Sequence, residues 1–250
     1  MPAPGPTPPT HPPRTLLVIP VFNHGATLRA VAEKALDAGF PVLVVDDGST
    51  DGALARVADL PVQTHRLPHN RGKGAAILAA AEIAAQAGFE AILTVDADGQ
   101  HDPADGPRLL EEARGSWPAI AVGERTLDGV NVPRSSQFGR RFSNFWVRLE
   151  CGRSLPDTQS GFRLYPVAFL RGTRFLSRRY TFEIEVLVRA AWAGLPILSG
   201  GISVFYPPRD ERVTHFRKFR DNARLSALHT FLVTRSLFRW RRPERRFSEH

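Results

Sequence analysis

Three short runs rich in β-branched residues, Thr15–Val21, Val42–Val45 and Ala91–Val95, are each bounded by Pro, Gly or Asp. Runs of this length and composition read as strands, and the segments separating them read as helices of about 10–15 residues. The resulting βαβαβ alternation implies a parallel sheet. Lys73–Gly88 is Ala-rich, sets Ile77, Ala80, Ala81 and Ala84 at helical spacing, and reaches Gly88 where a helix stop belongs. Later strands are predicted at Ile120–Gly123 and Ile202–Tyr206, and helices at Gly139–Glu150 and Phe182–Ala193. The economical organisation is a disordered Pro-rich tail over 1–14, one α/β domain over 15–208, and a basic loop with an amphipathic helix over 209–250. Seven of the first 13 residues are proline, which leaves the tail unable to build a helix or a ladder.

At 250 residues with 42% apolar content, the chain is long enough to bury a substantial core. A single cysteine, Cys151, allows no internal disulfide and no zinc cage, which excludes a disulfide-stapled secreted scaffold. The start of the chain has neither the basic residues nor the apolar run of a signal peptide. The longest apolar stretches, 75–85 and 225–237, fall short of the roughly 20 residues that span a bilayer. The expected location is the cytoplasm.

Charge changes the picture at one end. Residues 209–246 hold 12 Lys+Arg against four Asp+Glu, which accounts for the whole net charge of +8. Such an end attracts phosphate groups or an anionic membrane surface. No zinc-finger, RRM or homeodomain pattern accompanies it, so nucleic acid is not the expected partner. Within it, Phe216–Trp240 interleaves Arg217, Arg220 and Arg224 with Phe219, Leu225, Leu228 and Leu232. That pattern suits a helix lying in the membrane interface, or one packed on its own domain with arginines in water.

In open α/β sheets, ligands bind beyond the carboxyl ends of the strands. Here those ends are polar: Pro20-Val21-Phe22-Asn23, then Asp46-Asp47-Gly48-Ser49-Thr50-Asp51-Gly52, then Asp96-Ala97-Asp98-Gly99-Gln100. Asp96 and Asp98, two residues apart at a strand exit, share a side of the chain with Gln100. Two carboxylates and an amide oxygen suit Mg²⁺ or Mn²⁺, which keep positions open for water and substrate phosphate. In the second loop, one carboxylate of Asp46-Asp47 suits a base or ribose while Ser49 or Asp51 caps. Asn70-Arg71-Gly72-Lys73-Gly74 permits close backbone approach at a helix start and sets Lys73 toward a diphosphate. It lacks the GxxxxGK[ST] form, and Ile77 breaks a GxGxxG fingerprint, so neither a P-loop NTPase nor a nicotinamide enzyme is supported. No Gly-x-Ser-x-Gly elbow or HExxH occurs either.

The three strand ends, together with Gly123-Glu124-Arg125, Asp157-Thr158-Gln159-Ser160-Gly161-Phe162-Arg163 and Tyr180-Thr181-Phe182-Glu183-Ile184-Glu185, resemble the family 2 glycosyltransferases. Within them, the resemblance is to the dolichyl-phosphate mannose synthase-like, polyprenyl-phosphate branch, and it runs from about Leu16 to Leu237. It implies a GT-A fold with a mostly parallel central sheet flanked by helices, and an inverting, metal-dependent hexose transfer from a UDP- or GDP-sugar. By the resemblance, Pro20, Phe22, Asn23, Val45 and Asp47 form the nucleoside pocket. Asp96, Ala97 and Asp98 form the donor loop, and Gln100 joins Asp96 and Asp98 at the metal. Arg125, Arg212 and Lys218 correspond to the cations that grip the donor diphosphate. Where the family commonly has an acidic residue after the Asn, this chain has His24.

Catalytic candidates are Asp98, in the metal loop, and Asp157, either a base for a hydroxyl acceptor or the partner of an arginine. Acceptor-binding candidates are Arg134, Arg140, Arg141, Ser160 and Arg163. Glu185 matches a family position, although Ile184, Leu187 and Val188 around it favour helix packing. The acceptor expected is a lipid carrier, polyprenyl phosphate in the first instance, with a lipid or polyketide hydroxyl as the alternative. A membrane-attached nucleotide-binding protein without turnover is the reading from another class. The enzyme is expected to sit peripherally on the inner face of the membrane.

Overall fold

The computed structural model describes residues 12–125, 134–152, 155, 157–205, 226 and 228–236, with the backbone alone over 134–141. Among the described residues, seven strands form one sheet: β1 (Thr15–Val21), β2 (Val42–Asp46), β3 (Gln63–Arg66), β4 (Ala91–Thr94), β5 (Ile120–Arg125), β6 (Arg163–Pro166) and β7 (Ile197–Ile202). Their order is β3-β2-β1-β4-β6-β5-β7. β6 runs antiparallel to both of its neighbours, β4 and β5. The other strand pairs are parallel.

Helices α1 (Gly25–Asp37), α2 (Lys73–Gln86), α3 (Gly106–Arg114), α4 (Arg134–Cys151), α5 (Val167–Gly172) and α6 (Phe182–Trp192) cover the two faces. The inner strands β1, β2, β4 and β6 are buried on both sides, so the two-residue period divides their side chains between two cores. Leu16 and Val18 of β1, Leu43 and Val45 of β2, and Ile92 of β4 join α2, α5 and α6. Leu17, Ile19 and Val21, Val42 and Val44, and Leu93 join α1 and α3.

The three predicted opening strands and the 73–88 helix stand where the pattern sets them. Elsewhere the structure corrects it. The strand expected at Ile202–Tyr206 ends at Ile202 and starts at Ile197, with only an isolated bridge between Val204 and His101 beyond it. The helix expected from Gly139 begins at Arg134. Residues 12–14, assigned to the tail, are tied into the fold. The Arg14 carbonyl accepts from the Glu90 and Ala91 amides, and Thr15 Oγ1 donates to the Pro13 carbonyl.

At the C-terminal end, residues 228–236 are helical and pack on the domain. Leu228 and Leu232 belong to the core beneath α4 and α6. His229 Nδ1 lies 2.5 Å from Glu150 Oε1, and its ring stacks on Trp146 at 5.4 Å. The apolar residues Leu228 and Leu232, read from sequence as suited to a bilayer, therefore face protein. The basic loop from 206 to 225 and residues 237–250 lie outside the described residues.

Candidate active site

The carboxyl ends of β1, β2 and β4 lie side by side, and each brings its polar loop to the same edge of the sheet. After β1, Asn23 adopts φ 52°, a left-handed conformation that asparagine tolerates. Its Oδ1 accepts from the Thr50 amide at 2.8 Å, and its own amide donates to Ser49 Oγ at 3.0 Å. Asp51 reaches across to the start of α1, accepting from the Gly25 amide at 2.8 Å, so Asp51 caps while Ser49 clasps the β1 loop. Gly48 sits at φ 76°, and a Cβ there would run into the backbone of His69 and Asn70.

Asp47 turns inward. It accepts from the Arg71 and Gly72 amides, both at 2.7 Å, and from Asn70 Nδ2 at 3.0 Å. Burial raises its pKa against the pull of those backbone bonds. It therefore holds the 70–72 loop in place. Val45, also expected at the nucleoside, is fully buried in the core. Pro20 and Phe22 are only partly buried.

The loop after β4, expected from sequence to meet the donor, is fastened at three places. Thr27 Oγ1 donates to the Ala97 carbonyl at 2.5 Å, the Gln100 amide to Asp98 Oδ1 at 3.0 Å, and the Phe205 amide to the Gln100 carbonyl at 2.8 Å. Behind it, Lys73 Nζ lies 2.5 Å from Asp96 Oδ1 and 2.7 Å from Glu183 Oε1. Although burial opposes both charges, the pairing holds Asp96 below the usual carboxylate range and Lys73 above its own. Lys73 is thus committed to two carboxylates. Sequence reasoning set it toward a diphosphate and missed Glu183, whose signal was its place in Thr-Phe-Glu at the start of α6.

Asp98 is pushed up to about 6 by burial and by the nearby Asp96 charge. That strain is the one a hard cation relieves, and the oxygen donors Asp96, Asp98 and Gln100 fit a divalent ion of the Mg²⁺ or Mn²⁺ kind. Among the described residues, no group of three or more His, Cys, Asp or Glu is arranged for a metal.

Arg125, at the end of β5, is gripped by Asp157 through Nε at 2.6 Å and Nη2 at 2.9 Å. Burial disfavours the Asp157 carboxylate, but the Arg125 bonds and charge outweigh it and hold its pKa down. Bidentate pairing of this kind fixes the guanidinium plane. His101 lies within electrostatic reach of Asp96, Arg125 and Asp157, so the β4 and β5 ends converge on it. Burial drives its pKa down to about 4, and its Nδ1 has no partner among the described residues.

Two acceptor candidates are placed otherwise than expected. Arg163 is wholly buried and donates to the carbonyls of Ser160 at 2.6 Å, Thr158 at 2.9 Å and Glu183 at 2.6 Å. Ser160 is equally buried. Both shape the 157–161 loop from inside, and neither reaches an acceptor at the surface. Glu185 is also structural: it accepts from the Leu176 and Ser177 amides and from Arg189 Nε at 2.6 Å. Arg134, Arg140 and Arg141 fall on the first half of α4, where only the backbone is described. Arg212 and Lys218 lie outside the described residues.

The sequence model of glycosyl transferase family 2 matches residues 16–173. An undecaprenyl-phosphate mannosyltransferase of Micrococcus luteus is 31% identical over 198 residues, covering 74% of this chain and 81% of that protein. A polyprenol monophosphomannose synthase of Mycolicibacterium smegmatis is 30% identical, covering 74% of this chain and 75% of that one. Among solved structures, glucosyl-3-phosphoglycerate synthase from Mycobacterium tuberculosis in complex with phosphoglyceric acid superposes with a TM-score of 0.67. It is 17% identical over 89% of this chain and 80% of its own. The same enzyme in complex with Mn²⁺, uridine diphosphate and glucosyl-3-phosphoglycerate superposes at 0.61. The mixed seven-stranded sheet is accordingly the GT-A fold, and the chain belongs to glycosyl transferase family 2. It is a glycosyltransferase, and its curated relatives include the polyprenyl-phosphate branch that the sequence resembles.

Proposed function

We propose that the protein transfers a hexose, with inversion, from a UDP- or GDP-sugar to the phosphate of a polyprenyl carrier, working peripherally at the inner face of a membrane. The observation that carries the acceptor class is the Arg125–Asp157 pair. A hydroxyl acceptor needs a general base, and a carboxylate held at low pKa with both oxygens engaged by one arginine is a poor one. A phosphate acceptor is already ionised at neutral pH and needs positioning only. The names of the relatives in Micrococcus luteus and Mycolicibacterium smegmatis point to the same acceptor.

In the reaction, an oxygen of the lipid phosphate attacks the anomeric carbon as its bond to the nucleoside diphosphate breaks. Negative charge then grows on the leaving diphosphate. Asp157 aims Arg125 at that charge, and Arg212 and Lys218, which follow the last strand in sequence, add to it. A divalent cation held by Asp96, Asp98 and Gln100 would supply Lewis-acid stabilisation there. Lys73 and Glu183 keep Asp96 ionised and in place, while the Asp47-bound 70–72 loop walls the nucleoside pocket. The Mn²⁺ and uridine diphosphate in the mycobacterial structure support both the metal and the donor class.

The test is nucleotide release by the purified protein with Mg²⁺ or Mn²⁺ across UDP- and GDP-sugars, with and without undecaprenyl phosphate, beside Asp98→Ala. Lipid-dependent release of one nucleotide, lost in the variant, is expected. Metal-dependent nucleotide binding without turnover on any lipid phosphate would overturn the acceptor assignment.

A further inference from the structure

A cleft of about 340 Å³ opens between α2 and α5, away from Asp96, Asp98 and Arg125, none of which lines it. Its floor is apolar, built from Leu67, Ala75, Leu170 and Phe175, all buried. Its rim is basic. Arg71, Arg171, Arg174 and Arg178 line it against one acidic side chain, Glu82. Glu82 is already engaged by Arg171 Nε at 2.9 Å. The side chains of Arg71, Arg174 and Arg178 have no hydrogen-bond or ion-pair partner among the described residues.

The loop carrying two of these arginines is held rigidly. Glu185 takes the Leu176 and Ser177 amides, the Arg178 carbonyl accepts from the Ala75 amide at 3.0 Å, and the Phe175 ring packs on Phe182 at 5.0 Å. Arg71 is set by its backbone bond to Asp47. Three unpaired guanidiniums therefore project from a fixed frame around one apolar floor. An anion bound among these rim arginines gains charge-assisted hydrogen bonds. A preorganised frame loses little entropy on binding.

We infer that this cleft is a second ligand site, taking a phosphate monoester with a small apolar substituent. The phosphate is held by Arg71, Arg174 and Arg178, and the substituent lies on Leu67, Leu170 and Phe175. The volume is at the lower end of the roughly 300–1,000 Å³ of small-molecule sites, enough for a short organic phosphate. The ligand is either a soluble organic phosphate or the headgroup of a phosphomonoester lipid. The site does not depend on the transfer reaction proposed above.

The experiment is titration calorimetry of the whole chain without divalent metal, using dimethylallyl phosphate and inorganic phosphate. Co-sedimentation with phosphatidic acid vesicles, against phosphatidylcholine vesicles, forms the lipid arm. Each measurement is repeated with saturating UDP and GDP, and with Arg174→Ala/Arg178→Ala, both exposed positions. Expected are tighter binding of dimethylallyl phosphate than of inorganic phosphate, persistence under saturating nucleotide, and at least a tenfold loss in the double variant at unchanged Tm. Glu82→Gln, which frees Arg171, is expected to tighten binding a few-fold. Vesicle binding that depends on the two arginines, without binding of the soluble phosphates, assigns the lipid as the source. Binding abolished by nucleotide, unaffected by the double variant, or undetectable at millimolar concentrations in both arms would overturn the site.

Discussion

At the scale of single residues, the site depends on close approaches that charge patterns do not reveal. Gly161 passes so near Asp96 and Lys73 that a Cβ there would collide with the carboxylate and the ammonium together. Thr94 Oγ1 fixes the position by donating to the Gly161 carbonyl at 2.9 Å. Gly161→Ala is therefore expected to push Asp96 out of line while the sheet holds. Nucleotide release should fall about 10²-fold, since a displacement near 1 Å costs that much, with an unchanged circular dichroism spectrum as the control. Asp157 makes a different prediction. Its pKa is lowered in the folded state, so its stabilisation is complete above the unfolded value near about 4 and is lost as pH falls through the folded value. Asp157→Asn, which leaves Arg125 without its carboxylate, should cost about 3 kcal/mol at neutral pH. The gap between wild type and variant in urea unfolding should stay constant above about pH 5 and shrink below about pH 4.

Much of the site was legible in the sequence because strand ends carry chemistry in α/β sheets. Asp96, Asp98, Arg125 and the Asp157 loop all emerged from that rule and from the family resemblance. What stayed hidden is which charges are spent on one another. Lys73 and Arg163 read as free cations, yet Lys73 is closed by Asp96 and Glu183, and Arg163 by three carbonyls. Partners such as Lys73 and Glu183, 110 positions apart, are joined by the fold alone.

At the scale of elements, the same reasoning explains which strands escaped the hydrophobic pattern. β3, Gln-Thr-His-Arg, lies at the sheet edge with no buried residue, so no apolar period marks it. β6, Arg-Leu-Tyr-Pro, is wholly buried, but its first residue is an arginine hydrogen-bonded to three backbone carbonyls, which disguises a central strand as a surface turn. The helical segment 228–236 poses the opposite problem: its apolar residues were visible, and their destination was not. Leu232 is fully buried against the α4 and α6 side of the core. Leu232→Ala should therefore cost about 2–5 kcal/mol and lower Tm on the order of 5–15 °C, read by thermal unfolding without lipid. An unchanged Tm would return this segment to the membrane reading.

At the scale of the whole molecule, the packed C-terminal segment moves the question of membrane contact to its neighbour. Phe142, Phe145 and Leu149 of α4 are 43%, 60% and 54% exposed. Their spacing of three and four residues puts them on one stripe. Phe231, also partly exposed, belongs to the segment that packs on α4 through His229. Among the described residues no helix is long and apolar enough to cross a membrane. An apolar stripe in a chain whose residues 209–246 account for the entire net charge of +8 is suited to lie in an anionic interface, with apolar residues buried and basic ones at the headgroups. Phe145→Ser/Leu149→Ser should weaken co-sedimentation with phosphatidylglycerol vesicles about tenfold or more, since each buried large side chain contributes roughly 1.5–3 kcal/mol. Raising the salt should weaken wild type and variant alike, because the charge term is screened in both. Turnover on a short, water-soluble prenyl phosphate should not change, because neither residue touches the donor loop. Equal vesicle binding by variant and wild type would leave the basic terminal stretch as the whole of the attachment.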